Sequence, residues 1–262
     1  MSDAVTPNPW GALRTLTQAR IALGRAGVSM PSAAQLDFQM AHARARDAVH
    51  LPLDVAALHS ALAKPGRTVL LAHSACPDRA AYLQRPDLGR QLDAQSCEAL
   101  AAAAPPACEL ALVVADGLSA LAIAQHGAPF IDALLDRLAP SGWSTPPVVI
   151  VQQGRVAIGD QVGAILNARC VVVLIGERPG LSSPDSMGLY LTFNPGPGLT
   201  DASRNCISNV RLAGLGFEAA AYKLHYLLDQ ARLRGLSGVA LKDDTDAPAL
   251  AEPANNFLIH FN

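Results

Sequence analysis

Residues 115–120 combine a carboxyl group with a flexible turn directly after an apolar run. Asp116 closes that run, and Gly117 allows a tight turn into the next segment. The amide groups at the start of a following helix could bind a ligand here. A capped turn between a strand and a helix explains the same residues, so both interpretations stay open.

A second polar stretch, residues 175–186, follows the most apolar run of the chain. Two glycines and two prolines restrict its shape, and it places Glu177 beside Arg178 at the end of a predicted strand. A loop that only connects two elements does not need an adjacent acid and base, so this stretch predicts a ligand site. It has neither the GxxxxGK[ST] phosphate loop nor the GxGxxG dinucleotide motif.

Cys206 lies in a third polar stretch, residues 201–211, between Arg204 and Arg211. Two nearby guanidinium groups would favour a thiolate if the sulfur were exposed. A nucleophilic cysteine also needs a base and an oxyanion site, and the sequence identifies neither. The alternatives are a buried small side chain or a wall of a ligand site.

Histidine and cysteine do not form a recognisable metal or hydrolase motif. His42 and His50 are two turns apart on one predicted helix, which is too far for joint metal binding and favours a polar helix face. His73 and Cys76 lack a second pair at zinc-site spacing. HExxH and GxSxG are also absent from the sequence.

The elements that would position these stretches alternate between short apolar runs and helical patterns. Predicted strands cover 68–73, 110–116, 148–152, 170–175 and 189–193, and the middle three are nearly unbroken apolar, as in a sheet covered on both faces. Predicted helices cover 9–27, 32–49, 55–63, 97–104, 131–138, 162–166 with Asp160 as the cap, and 217–235. This alternation predicts an α/β fold, a doubly wound and mostly parallel sheet of Rossmann-like type. We divide the chain into an N-terminal helical segment (1–66), the sheet domain (67–238) and a loosely ordered tail (239–262).

The composition limits the classes of function. Half of the 262 residues are hydrophobic and the net charge is -2, which argues against nucleic-acid binding. Five scattered cysteines without a CxxC pair favour a reducing compartment, and no secretory signal or membrane-length apolar run is visible. We therefore expect a cytoplasmic protein.

Eight segments in order make the chain similar to the small (light) subunit of ethanolamine ammonia-lyase. They are 24–27 (GRAG), 43–49 (ARARDAV), 85–90 (RPDLGR), 116–119 (DGLS), 154–156 (GRV), 160–163 (DQVG), 176–181 (GERPGL) and 205–209 (NCISN). No single segment is specific, but the ordered set covers roughly residues 9 to 239.

The resemblance implies an adenosylcobalamin-dependent enzyme that converts ethanolamine to acetaldehyde and ammonia through an adenosyl radical. It implies a large TIM-barrel subunit that holds the substrate, a Rossmann-like small subunit, and cobalamin between the two. The implied assembly is a trimer of dimers of large–small pairs. The isolated chain is then expected to be inactive, with no catalytic and no metal-binding residue of its own.

The family's small-subunit contacts to cobalamin correspond here to Val156, Glu177 and Cys206. Arg155 and Arg178 are neighbours that could meet the cofactor phosphate or acids of the large subunit. The sequence lacks Asp-x-His-x-x-Gly, by which other cobalamin proteins give a histidine to cobalt, so we expect the cofactor to keep its own base on the metal.

Two departures from the family pattern limit what the resemblance implies. The chain starts almost at the shared core, without the long extension linked to bacterial microcompartment packaging, so packaging is in doubt. We expect the tail after Gly238 to have no clear family counterpart. The competing hypotheses are an enzyme that uses another nucleotide and a hydrolase built on Cys206.

Overall fold

The computed structural model of the chain describes residues 4–105, 108–144 and 146–245. Its strands are β1 (Val69–His73), β2 (Cys108–Ala115), β3 (Val148–Gln152), β4 (Ala168–Gly176), β5 (Met187–Phe193) and β6 (Arg204–Val210). Its helices are α1 (Ser32–His50), α2 (Val55–Leu62), α3 (Arg79–Gln84), α4 (Ala94–Ala103), α5 (Ala120–Leu138), α6 (Ile158–Ile165) and α7 (Phe217–Arg234).

The six strands form one mixed sheet in the order β1-β3-β2-β4-β5-β6. The first four strands in this order are parallel, whereas β5 pairs antiparallel with β4, and β6 antiparallel with β5. The prediction of an α/β fold with a mostly parallel sheet is therefore confirmed. The finer description as doubly wound and Rossmann-like stays a prediction, as does the division into three segments.

Both faces of the central strands are buried, because helices cover the sheet on each side. On β2, Leu112 and Val114 belong to one apolar core with residues of α2, α5 and α7. The alternate residues Ala111 and Val113 belong to a second core with α4 and α6. Burial on both faces explains why these strands are apolar almost without interruption.

The predicted helix over 9–27 is wrong. Only Pro9–Thr15 is helical, as a 3-10 helix whose first turn is capped by the Asn8 side chain. Thr17 Oγ1 then accepts a hydrogen bond from the Ala19 amide (3.1 Å), and Ala22 adopts a left-handed conformation with φ of 51°. A helix here would also have no core to pack on, since no residue of the 3-10 segment is buried.

Two further elements differ from the sequence prediction: α5 is longer than predicted, and β6 was not predicted. Helix α5 starts eleven residues before the predicted 131, at Ala120, and contains Pro129, a residue that usually ends helices. Strand β6 was not predicted, because its buried positions are Arg204, Ile207 and Val210, a spacing of three. A register shift between β5 and β6 removes the alternation that identifies a strand.

Asp160 does not cap α6 as predicted. It lies inside that helix, whose N-cap residue is Ala157, and its buried carboxylate accepts two hydrogen bonds from Arg204 (2.6 and 2.8 Å). The acidic side chain therefore joins α6 to β6.

The chain after α7 folds back along the start of β6. The Asn205 side-chain amide donates to the carbonyls of Gly238 (3.2 Å) and Leu241 (2.8 Å), and its oxygen accepts from the Gly238 amide (2.7 Å). Leu241 is buried, and Lys223 of α7 forms an ion pair with Asp243 (2.8 Å). Residues 246–262 of the predicted tail lie outside the described residues.

Candidate functional site

A cavity of about 400 Å³ opens at the carboxyl ends of the parallel strands β3 and β4. Its lining residues are Tyr82, Leu118, Arg155, Val156, Ile175, Gly176, Glu177, Arg178 and Tyr190. Ligands of open α/β sheets bind at this edge. Two of the three residues that the resemblance implies, Val156 and Glu177, therefore line one cavity.

A second depression, of about 420 Å³, adjoins the first. Arg155 and Val156 line both, so the two depressions form one surface with Val156 at their border. The second depression adds Arg90 and the 199–204 segment to this surface. The result is a broad, shallow and amphipathic area, with apolar side chains next to guanidinium and carboxylate groups.

Hydrogen bonds from three residues hold the Glu177 carboxylate. Its Oε1 accepts from the Ser208 hydroxyl (2.5 Å), and its Oε2 accepts from the Ser186 hydroxyl (2.5 Å) and the Asn209 amide (3.2 Å). The Glu177 amide in turn donates to the Ser186 carbonyl (2.9 Å). Glu177 thus ties the 175–186 loop to β6, and a ligand would meet a fixed carboxylate rather than a mobile one.

Cys206 adjoins the cavity through Tyr190, its partner across the β5–β6 pair. Partial removal from water raises the pKa of the Cys206 thiol, and the Glu177 charge adds to this effect. The hydrogen bond with the Tyr190 hydroxyl acts in the opposite direction but does not outweigh them. Burial also raises the pKa of Tyr190.

Arg204, predicted to favour the thiolate, is instead paired with Asp160. The site therefore presents a neutral thiol, which does not support the hydrolase hypothesis.

Tyr82 of α3 forms the floor of the cavity, and sequence reasoning missed it. Its buried ring has two guanidinium groups stacked on it, with the Cζ atoms of Arg79 and Arg155 at 4.6 and 4.1 Å from its centroid. Its hydroxyl donates to the Gly154 carbonyl (3.2 Å), and Arg155 donates to the Tyr82 carbonyl (2.9 Å). Arg155 is thereby fixed beside Val156. Asp78, which caps α3 before a run of helix-forming residues, is the sequence signal that could have revealed this helix.

The 115–120 stretch is a capped turn between β2 and α5, and it packs against Gly176 in the wall of the cavity. Burial raises the pKa of Asp116, although nearby Arg79 (3.6 Å) opposes the shift. Gly117 has φ of 58°, and a Cβ atom there would lie 2.3 Å from the Gly176 carbonyl oxygen. The Leu118 amide donates to that same oxygen (2.9 Å). The loop therefore packs directly on the start of the 175–186 stretch, and only glycine fits.

The weaker candidates stay outside this site. The His42 ring bonds to a carbonyl of its own helix, Phe38 (3.1 Å), and the His73 ring contacts the Ser74 carbonyl (2.7 Å). Cys76 is buried. Within the described ranges, no group of three or more His, Cys, Asp or Glu side chains could hold a metal ion. None of the helices in this part of the chain is long and apolar enough to cross a membrane.

Comparison with known proteins assigns the chain to a family. Residues 7–242 match the family model of the ethanolamine ammonia-lyase light chain. The chain belongs to this family. It is 60% identical over 258 residues to the ethanolamine ammonia-lyase small subunit of Ralstonia nicotianae, covering 97% of this chain and 96% of the relative. The small subunit of Pseudomonas fluorescens SBW25 is 60% identical (93% and 89% covered), and that of Pseudomonas aeruginosa LESB58 is 57% identical (99% and 97% covered). The resemblance seen in the eight sequence segments is confirmed, and as an ethanolamine ammonia-lyase light chain the protein is a lyase subunit.

Proposed function

We propose that the surface around Val156, Glu177 and Cys206 forms one side of an adenosylcobalamin site, and that the large subunit of ethanolamine ammonia-lyase completes it. The observation that carries this proposal is the position of Val156 and Glu177 on one amphipathic cavity, with Cys206 next to its wall residue Tyr190. The complete enzyme would convert ethanolamine to acetaldehyde and ammonia.

The residues of this surface fit the chemistry of cobalamin. The cofactor combines an apolar corrin face with amide side chains, a ribose and a phosphate. Val156, Leu118 and Ile175 offer apolar contact, whereas Glu177 accepts and Arg178 donates hydrogen bonds. Cobalamin is larger than either depression, so this chain would cover only part of it. An open site of this kind requires a second protein surface to exclude water.

The chain's own residues would bind and orient the cofactor rather than react with it. Adenosylcobalamin supplies, when bound, the radical that starts the reaction. Glu177, held by Ser208 and Ser186, would present a fixed acceptor edge to amide or hydroxyl groups. Arg155, fixed on the Tyr82 ring, would hold the neighbouring Val156 in position for apolar contact with the cofactor. The neutral Cys206 thiol would pack without requiring a charged partner.

The assembly follows the family pattern in this proposal. The partner is a large TIM-barrel subunit, the oligomer is a trimer of dimers of large–small pairs, and the cofactor keeps its own base on cobalt. The Rossmann-like description of the sheet belongs to the same proposal. We propose a cytoplasmic location and leave microcompartment packaging unassigned.

The proposal is tested by reconstitution with the large subunit. The isolated chain should show no deamination of ethanolamine, and activity should appear when the large subunit and adenosylcobalamin are added. Val156→Trp would fill the cavity, so the complex should still form but bind cobalamin about 10- to 100-fold more weakly by absorbance titration. Leu233→Trp is the matched control, because Leu233 is 78% exposed on α7, which covers the other face of the sheet.

Two outcomes would contradict the proposal. Turnover by the isolated chain would show that it carries its own catalytic groups. If Val156→Trp formed an intact complex with unchanged cobalamin affinity, the cofactor would not bind at this surface.

A further inference from the structure

The first described part of the chain folds almost without a core. Of residues 4–40, which we call the N-terminal arm, only Pro31 is buried. Six large apolar side chains in the arm are at least 48% exposed: Trp10, Leu16, Val28, Met30, Leu36 and Met40. Scattered exposed apolar residues are ordinary, but a concentration on one segment marks a contact surface.

Backbone hydrogen bonds and a guanidinium–ring contact help to hold the arm in place. The amides of Thr6 and Arg25 donate to each other's carbonyls (2.7 and 3.0 Å), which closes a loop between these residues. The Arg20 guanidinium lies 5.8 Å from the centroid of the Phe38 ring on α1. These contacts leave the six apolar side chains exposed to water. Their burial against a partner would therefore be favourable, because the isolated chain does not bury them.

The arm is continuous with the proposed cofactor surface. Arg20 donates to the Leu181 carbonyl (3.3 Å) and to the Ser182 hydroxyl (3.5 Å), both in the 175–186 loop that carries Glu177. A protein that closes over the cavity would therefore meet the arm at the same time.

The arm also has the charge and shape to accept an unlike partner. It carries three arginines and one aspartate, a formal charge of +2 in a chain of net charge -2. A second copy would oppose arm to arm across a twofold axis, which places like charges together. A depression of about 600 Å³ lies within the arm, between its first residues and the start of α1. Arg14, Arg20, Leu23 and Asp37 are in its wall, and it could receive a side chain of the partner.

We propose that the N-terminal arm is a docking surface for the large subunit, and that the complementary surface of that subunit is apolar with carboxylates around it. The inference rests on the proposed function, since it takes its partner from there. In this arrangement the arm holds the two subunits together independently of cobalamin, while the Val156 surface binds the cofactor.

Paired substitutions on α1 test the arm. Leu36 and Met40 are one turn apart on one helix face and are 63% and 54% exposed, so Leu36→Glu with Met40→Glu changes the surface without disturbing a core. The variant is expressed together with the tagged large subunit in the absence of cobalamin, and the ratio of the two chains after affinity purification is measured. We expect association about 10- to 100-fold weaker than for the unaltered chain. Leu233→Glu, on α7, is the control and should associate normally.

The outcomes separate the inference from the proposed function. Failure of the unaltered chain to associate with the large subunit would overturn both. Normal association of the double variant with the large subunit would overturn the docking role of the arm but not the proposed function. Sedimentation that shows a dimer of the unaltered chain and a monomer of the double variant, with large-subunit binding intact, would assign the arm to a second copy and overturn the inference. Circular dichroism of each variant verifies that its fold is retained.

Discussion

Arg204 of β6 and Asp160 of α6 form a bidentate ion pair in the interior, with N–O distances of 2.6 and 2.8 Å. Both side chains are less than one-tenth exposed. The Thr192 hydroxyl oxygen also accepts from Arg204 (3.2 Å). The pair connects the last strand of the sheet to the helix that follows Val156, so it links the two elements on either side of the second depression.

Breaking this pair from one side should be costly. Asp160→Leu leaves the Arg204 guanidinium buried without its carboxylate, and we expect a loss of about 3 to 5 kcal/mol in the free energy of unfolding, measured with urea. The double variant Asp160→Leu with Arg204→Met should recover much of that loss, because both charges are then removed. Asp201 is the control: it also contacts Arg204 (3.5 Å) but is 97% exposed, so Asp201→Ala should change little. Additive losses in the double variant would contradict the pairing.

Two glycines with similar backbone angles should respond very differently to alanine. Gly117 and Gly142 have φ of 58° and 72°, so alanine at either position costs about 1 to 2 kcal/mol in backbone strain. At Gly142 nothing lies within 4 Å of the added methyl group, so backbone strain should be the whole loss of stability. At Gly117 the methyl group would lie 2.3 Å from the Gly176 carbonyl oxygen. We therefore expect a much larger loss of stability for Gly117→Ala by thermal or urea unfolding; equal losses would show that the loop can move away.

The reactivity of Cys206 should reveal its environment. Because its pKa is raised above the ordinary thiol value of 9.0, the thiol is neutral near neutral pH, and its alkylation rate should keep increasing as the pH rises beyond that value. Glu177→Gln removes a negative charge and should lower the pKa, which speeds alkylation. Tyr190→Phe removes a hydrogen bond that favours the thiolate and should slow it. Mass spectrometry distinguishes Cys206 from the other four cysteines, which are buried or half-buried. Fast alkylation near neutral pH would contradict this account.

The sheet was predictable because burial on both faces leaves a simple pattern. Strands β1 to β5 are short runs of apolar residues, and the sequence places each within a few positions. Strand β6 was not predictable in this way. Its polar residues bond to Glu177 and to the chain after α7, which are distant in sequence, so nothing local identifies the segment as a strand.

The candidate site was only partly predictable for a related reason. Glu177 stands out because an acid and a base follow an apolar run. The cavity floor depends on Tyr82 stacking with Arg155, 73 residues away, a contact that no local pattern records. Val156 was placed by family resemblance alone, and its role stays a prediction together with those of Glu177 and Cys206.

The fold-back of the chain along Asn205 has a consequence for solubility. β6 is at the end of the sheet, and an end strand offers free backbone groups to which another chain can add. Here the Asn205 side chain bonds to the backbone of Gly238 and Leu241, and these residues cover the start of the strand. An incoming strand would have to displace them before it could pair, so this segment protects that end of the sheet against aggregation.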